Sequence, residues 1–89
     1  MGREHLLDLS KLAPPEPLQQ AVSALDALAD GEYLRLLLNR DPIYLYPILV
    51  LQGFEHEKRA GTQSIFELLI WHKGDEKARQ AALANHGSA

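Results

Sequence analysis

Cysteine is absent from this 89-residue chain. That excludes disulfides, thiolate metal sites and persulfide chemistry, and it fits a reducing compartment without requiring one. A basic excess is also absent: nine Lys and Arg stand against twelve Asp and Glu, for a formal net charge of −3. Nucleic-acid binders carry a basic field that neutralises phosphates, so nucleic acid is not an expected partner. No glycine-rich phosphate loop occurs. Long apolar runs are missing too. The longest uncharged one, Pro42 to Leu51, is too short to cross a bilayer and holds two prolines and two tyrosines. The stretch from Met1 to Ser10 lacks the apolar core of a signal peptide. No membrane partner is expected, and the cytoplasm is the expected location.

What remains is an ordinary globular balance, 46 % apolar and 24 % charged, in a chain long enough for one thin core. His5 to Leu9 alternates as a strand, with Leu7 and Leu9 on one face. A loop follows to Pro14. A helix is expected from Pro15 to about Ala29, because prolines suit a first turn and Leu18, Val22, Leu25 and Leu28 recur at helical spacing. Asp30-Gly31 ends it. Glu32 to Asn39 reads as a second strand, with Leu34, Leu36 and Leu38 opposite Tyr33, Arg35 and Leu37.

Asp41-Pro42 reads as a helix cap followed by a first-turn proline, with Gly53 at the far end. Pro47 complicates that helix and moves its expected start toward Leu45. Phe54 to Arg59 is a polar, edge-like strand, Gly61 marks a hairpin turn, and Ser64 to His72 is the most apolar strand. The segment from Asp75 to Asn85 is alanine-rich with a weak stripe, so a loosely docked or frayed helix is expected.

The order is βαβαββ. Right-handed crossovers place two helices on one face of a four-stranded mixed sheet, a two-layer α/β (α+β) sandwich with a terminal hairpin. The expected division is a domain over 1–73 and an alanine-rich helical or disordered tail over 74–89.

Several short pieces stand in series: Leu7-Asp8-Leu9, Pro14-Pro15-Glu16-Pro17, Leu25-Asp26-Ala27-Leu28, Gly31-Glu32, Asp41-Pro42, Leu45-Tyr46-Pro47 and Gly53-Phe54. Together, over roughly residues 5 to 73, they resemble the domain of unknown function (DUF) 2249 family, a sister group of the TusA/SirA-like proteins. The resemblance implies the βαβαββ sandwich. It does not imply sulfur transfer: those carriers need a cysteine directly before Pro-x-Pro, and Pro14 stands there. It also implies an association with redox, respiratory or nitrogen-oxide metabolism.

Three candidate sites follow from the residues. The first is the edge where both strand-to-helix loops meet, a common ligand position in open α/β folds. Lys11, Glu16, Asn39, Arg40 and Asp41 gather there, and two helix N-termini would suit a small anion. Simple capping by Asp41 and solvated Lys11 and Arg40 account for the same residues. The second is the helix-free sheet face, with Tyr33, Arg35, Leu37, Ile65, Leu69 and Trp71. An arginine among aromatic and aliphatic groups resembles an interface for a protein partner or a second copy. An ordinary exposed face, or a C-terminal segment folded back through Leu83, explains the same pattern.

The third is the histidines. His5, His56, His72 and His86 have no ligand spacing, and strand alternation sends His56 away from Glu55 and Glu57. No metal or other cofactor is expected. No nucleophile motif surrounds any serine. The expectation is therefore a small non-enzymatic binding or adaptor domain acting through the open sheet face. The alternative is a small-anion sensor or enzyme using Lys11, Glu16, Arg40 and Asp41.

Overall fold

The leucine-rich segments pair first with one another. Glu32–Leu38 (β2) lies at the centre of the sheet, parallel to Arg3–Asp8 (β1) and antiparallel to Phe66–His72 (β4), which is itself antiparallel to Phe54–Ala60 (β3). The strand order is β1-β2-β4-β3. The computed structural model describes residues 3–85. Three helices complete it: Glu16–Asp26 (α1), Leu45–Leu51 (α2) and Glu76–Asn85 (α3).

On one face of the sheet, Leu34, Leu36, Leu38, Leu68 and Ile70 meet Ala21 and Leu25 of α1 and Leu45 and Leu49 of α2. This is the layering expected from two right-handed crossovers. The α1 stripe is rotated from the expected one: Ala21 takes the innermost position, and Val22 is only half-buried. The helix also stops at Asp26 rather than Ala29. The N–H groups of Ala27 and Leu28 bond back to Ala24 and Leu25, a tightened last turn. Gly31, at φ 79, then turns the chain into β2, a conformation that favours glycine.

Helix α2 begins at Leu45, the later of the two expected starts. From there Pro47 sits in the first turn, where its missing N–H has no intrahelical acceptor to lose. Asp41 is thus not its cap; the N-cap position is Tyr44, with no side-chain hydrogen bond.

The second face corrects two expectations. The alanine-rich segment is neither frayed nor loose: α3 lies on the sheet, with Ala78 and Ala82 fully buried against Tyr33, Leu69 and Trp71. Alanines four residues apart present almost no bulk, so the helix backbone comes close enough to cover the large aromatic groups. Asp75 ties the start of α3 to the turn before β2, accepting from Gly31 N at 2.7 Å and Ala78 N at 3.0 Å. At the other end, Asn85 Nδ2 donates to the Tyr33 hydroxyl at 3.0 Å, and that hydroxyl donates to Glu4 at 2.9 Å.

The face expected to stand open is therefore not a free surface. Tyr33, Leu37, Leu69 and Trp71 are buried, and the Trp71 indole N–H is satisfied by Glu55 at 3.1 Å. Arg35 is committed within the fold. Its Nε donates to Glu67 at 2.8 Å, and its guanidinium lies 3.7 Å from Glu4. Glu67 also accepts from the N–H and hydroxyl of Thr62, which completes a buried pair that would otherwise be costly. Of the six interface candidates only Ile65 is exposed, and it lies in the hairpin loop outside β4. Among the described residues no helix is long and apolar enough to cross a membrane.

Candidate functional site

Parallel pairing of β1 and β2 brings their carboxyl ends side by side, so the 9–15 and 39–44 connections meet above the first core. Leu9 N continues the ladder by donating to the Leu37 carbonyl at 2.9 Å. Asn39 then joins three segments: its Nδ2 donates to the Ser10 carbonyl at 2.9 Å, and its Oδ1 accepts from Ile65 N at 3.3 Å. Asp8 holds the first connection from below, accepting from the Ser10 N–H and hydroxyl. These bonds keep its carboxyl below the usual range, the hydroxyl bond contributing most.

Between the two connections lies a groove of about 510 Å³. Its floor is Leu9, Ala21, Leu36, Leu38 and Leu45, and one wall is Leu12, Pro14, Pro15, Pro17 and Leu18. The other wall is Pro42, Ile43 and Tyr44, with Ser10, Asn39, Arg40 and Asp41 at the rim. The Pro14-Pro15 peptide is cis. Pro14 is thus a groove wall.

This is the edge singled out in the sequence, with a different chemical character. Asn39, Arg40 and Asp41 reach it; Lys11 and Glu16 lie outside its lining. Several of the backbone N–H groups that a small-anion cradle would need are missing or already used. Prolines 14, 15, 17 and 42 have no N–H to offer. The N–H groups of Glu16, Ile43 and Leu45 are bonded to Ala13, Asp41 and Pro42.

Asp41 is occupied as well. It accepts from the Tyr46 hydroxyl at 2.6 Å and from Lys58 Nζ at 3.2 Å, fastening the second connection to β3. The Tyr46 bond, followed by Lys58, holds the Asp41 carboxyl below its ordinary value. Burial, reinforced by Asp41, pushes the Tyr46 phenol up to about 12. Tyr46 stacks on His56 at 5.0 Å between ring centroids, and burial lowers the His56 imidazole.

The histidines do not converge. His5 lies 3.0 Å from Glu32, and His72 stacks on Phe54 with its Nε2 3.0 Å from the Leu28 carbonyl. His86 lies outside the described residues. Among the described residues, no group of three or more His, Asp and Glu is placed to hold a metal ion.

The apolar lining was not anticipated from the sequence. Its signal was the dense proline run from 14 to 17 facing Ile43-Tyr44, large groups that follow the polar Asn39-Arg40-Asp41 after a single proline, Pro42, and stay exposed in the fold. Residues 6–72 match the model of a family described as an uncharacterized conserved protein, DUF2249. No curated protein and no solved structure matches the chain.

Proposed function

We propose a function for a chain that belongs to the DUF2249 family of uncharacterized conserved proteins: it is a non-enzymatic binding domain, and its binding site is the groove at the carboxyl ends of β1 and β2. The observation that carries this reading is the groove itself, about 510 Å³ and walled by proline and aliphatic side chains. Pockets of a few hundred cubic ångströms with mostly apolar walls and a few polar rim groups are where proteins take small ligands.

Binding rather than catalysis is supported by the lining. Its one carboxylate, Asp41, is held by Tyr46 and Lys58 below its ordinary value and is a weak proton acceptor. The lining has no thiol, and its one serine hydroxyl, on Ser10, donates to Asp8, a carboxylate held below its ordinary value and so a weak base. A role beside redox or respiratory proteins, implied by the family resemblance, is the setting proposed for this binding. Unchanged growth on nitrogen-oxide acceptors after deletion of the protein would count against that setting.

The test of the site is a titration of isotope-labelled protein with neutral straight-chain alcohols, followed by amide and methyl shifts. Shifts concentrated at Leu12, Leu18, Leu36 and Tyr44 are expected, and Leu12→Trp, which fills the groove mouth, should abolish them. Shifts confined to the α3 side, at Tyr33 and Trp71, or no saturable shifts, would overturn the reading.

A further inference from the structure

The rim of the groove is selective in charge. Only two ionised side chains line it, Arg40 and Asp41. The Asp41 charge is answered by Lys58 at 3.2 Å. Both ends of the Asn39 amide are used, by the Ser10 carbonyl and the Ile65 N–H, and the Ser10 hydroxyl donates to Asp8. Arg40 is exposed and has no hydrogen-bond or ion-pair partner among the described residues. The polar lining therefore offers one uncommitted charged group, a guanidinium, beside an apolar trough.

We propose that the groove binds an apolar monocarboxylate, with its aliphatic chain against Leu12, Leu18 and Leu36 and its carboxylate on Arg40. The proposal rests on the groove being the binding site. A guanidinium fork matches a carboxylate in two parallel hydrogen bonds. A cationic ligand would face Arg40 unfavourably. A phosphate ester needs further cations or donors for its extra charge, and four of the lining residues, Pro14, Pro15, Pro17 and Pro42, have no backbone N–H to give. Lys11, the other basic residue in the two connections, is outside the lining. One cation and an apolar trough select a singly charged amphiphile.

The experiment compares straight-chain carboxylates with alcohols of the same length at neutral pH, below their aggregation concentrations, by calorimetry and by chemical-shift mapping on the full chain. Each added methylene should tighten binding about fourfold until the trough is full, after which affinity levels off. Acids should bind at least about tenfold more tightly than the matched alcohols, the usual worth of a hydrogen bond to a charged group. In Arg40→Gln that advantage should disappear, leaving acids and alcohols of equal length bound alike.

If acids and alcohols bind the wild type equally, the carboxylate assignment is wrong while the groove remains the site. If neither shifts the groove residues, the groove reading itself fails. Shifts centred on Val50 and Leu51, the exposed apolar side of α2, would overturn both.

Discussion

Asp75 accepts the backbone N–H of Gly31 at 2.7 Å, across 44 residues of sequence. The same carboxylate accepts from Ala78 N, so one side chain both caps α3 and fastens it to the turn before β2. Asp75→Ala should lower stability by about 1–2 kcal/mol, the usual worth of a helix cap. Urea unfolding followed by circular dichroism measures this. An unchanged midpoint would mean that α3 is held by its alanines alone.

Acid should destabilise the fold through Glu67 and Asp75. The Arg35 hydrogen bond, above all, holds the Glu67 carboxyl below its ordinary value, and the Gly31 N–H does the same for Asp75. A carboxyl lowered in the folded state contributes stability that is present above its unfolded value and is lost as pH falls through the folded value. The urea midpoint should thus be flat between neutrality and about pH 5 and fall below about pH 4. A midpoint that rises on acidification would contradict the two pairings.

The opposite sign applies to Tyr46. Its phenol is raised to about 12 by burial first and by Asp41 second, so folding favours the protonated form. That contribution is present below about pH 10 and is lost as pH climbs toward the folded value. A spectrophotometric titration should show a phenolate phase near 12 that is missing in Tyr46→Phe.

Trp71 is the only tryptophan, and it reports on α3 directly. Ending the chain after Lys73 should uncover it, shift its emission to longer wavelength and lower the unfolding midpoint. In the full chain, Trp71→Ala should cost about 3–5 kcal/mol, as for other buried aromatic truncations. A truncated protein with unchanged emission and midpoint would show that α3 does not cover the sheet.

The two sides of α2 should respond differently to the same change. Leu49 is fully buried, whereas Leu51 is 85 % exposed. Leu49→Ala should cost about 2–5 kcal/mol, and Leu51→Ala should stay within about 0.5 kcal/mol of wild type. Comparable losses at both positions would mean that α2 is packed on both sides.

Much of this fold could be read from pattern. Alternation in Glu32–Leu38 separated Leu34, Leu36 and Leu38 from Tyr33, Arg35 and Leu37, and the structure keeps that division between its two faces. The start of α2 near Leu45 followed from Pro47, whose missing N–H restricts where it can sit in a helix. The last helix was poorly legible because its buried stripe is Ala78 and Ala82. Alanine signals helix without signalling a face, and the reason to bury it comes from Trp71 and Tyr33 on distant strands.

The candidate site was legible in place and not in character. Asn39, Arg40 and Asp41 were expected at the meeting of the two connections, and they line the groove there. Charge drew attention to an anion cradle, whereas the depth of the groove comes from Leu12, Leu18, Ile43 and Tyr44, residues that look like ordinary core or loop until two segments face each other.

The sequence alone determined the strands, the two crossover helices, the hairpin and the absence of thiol chemistry, because periodicity, proline and glycine placement and composition are local properties. Tertiary structure decided between an open second face and one covered by the C-terminal segment through Leu83, in favour of the latter. It alone decided that Asp41 serves Tyr46 and Lys58 rather than a helix end, and that Arg40 has no partner among the described residues beside an apolar groove. Those outcomes depend on which groups meet across long stretches of chain. Burial and pairing of that kind are set by the packed three-dimensional arrangement, which no local pattern encodes.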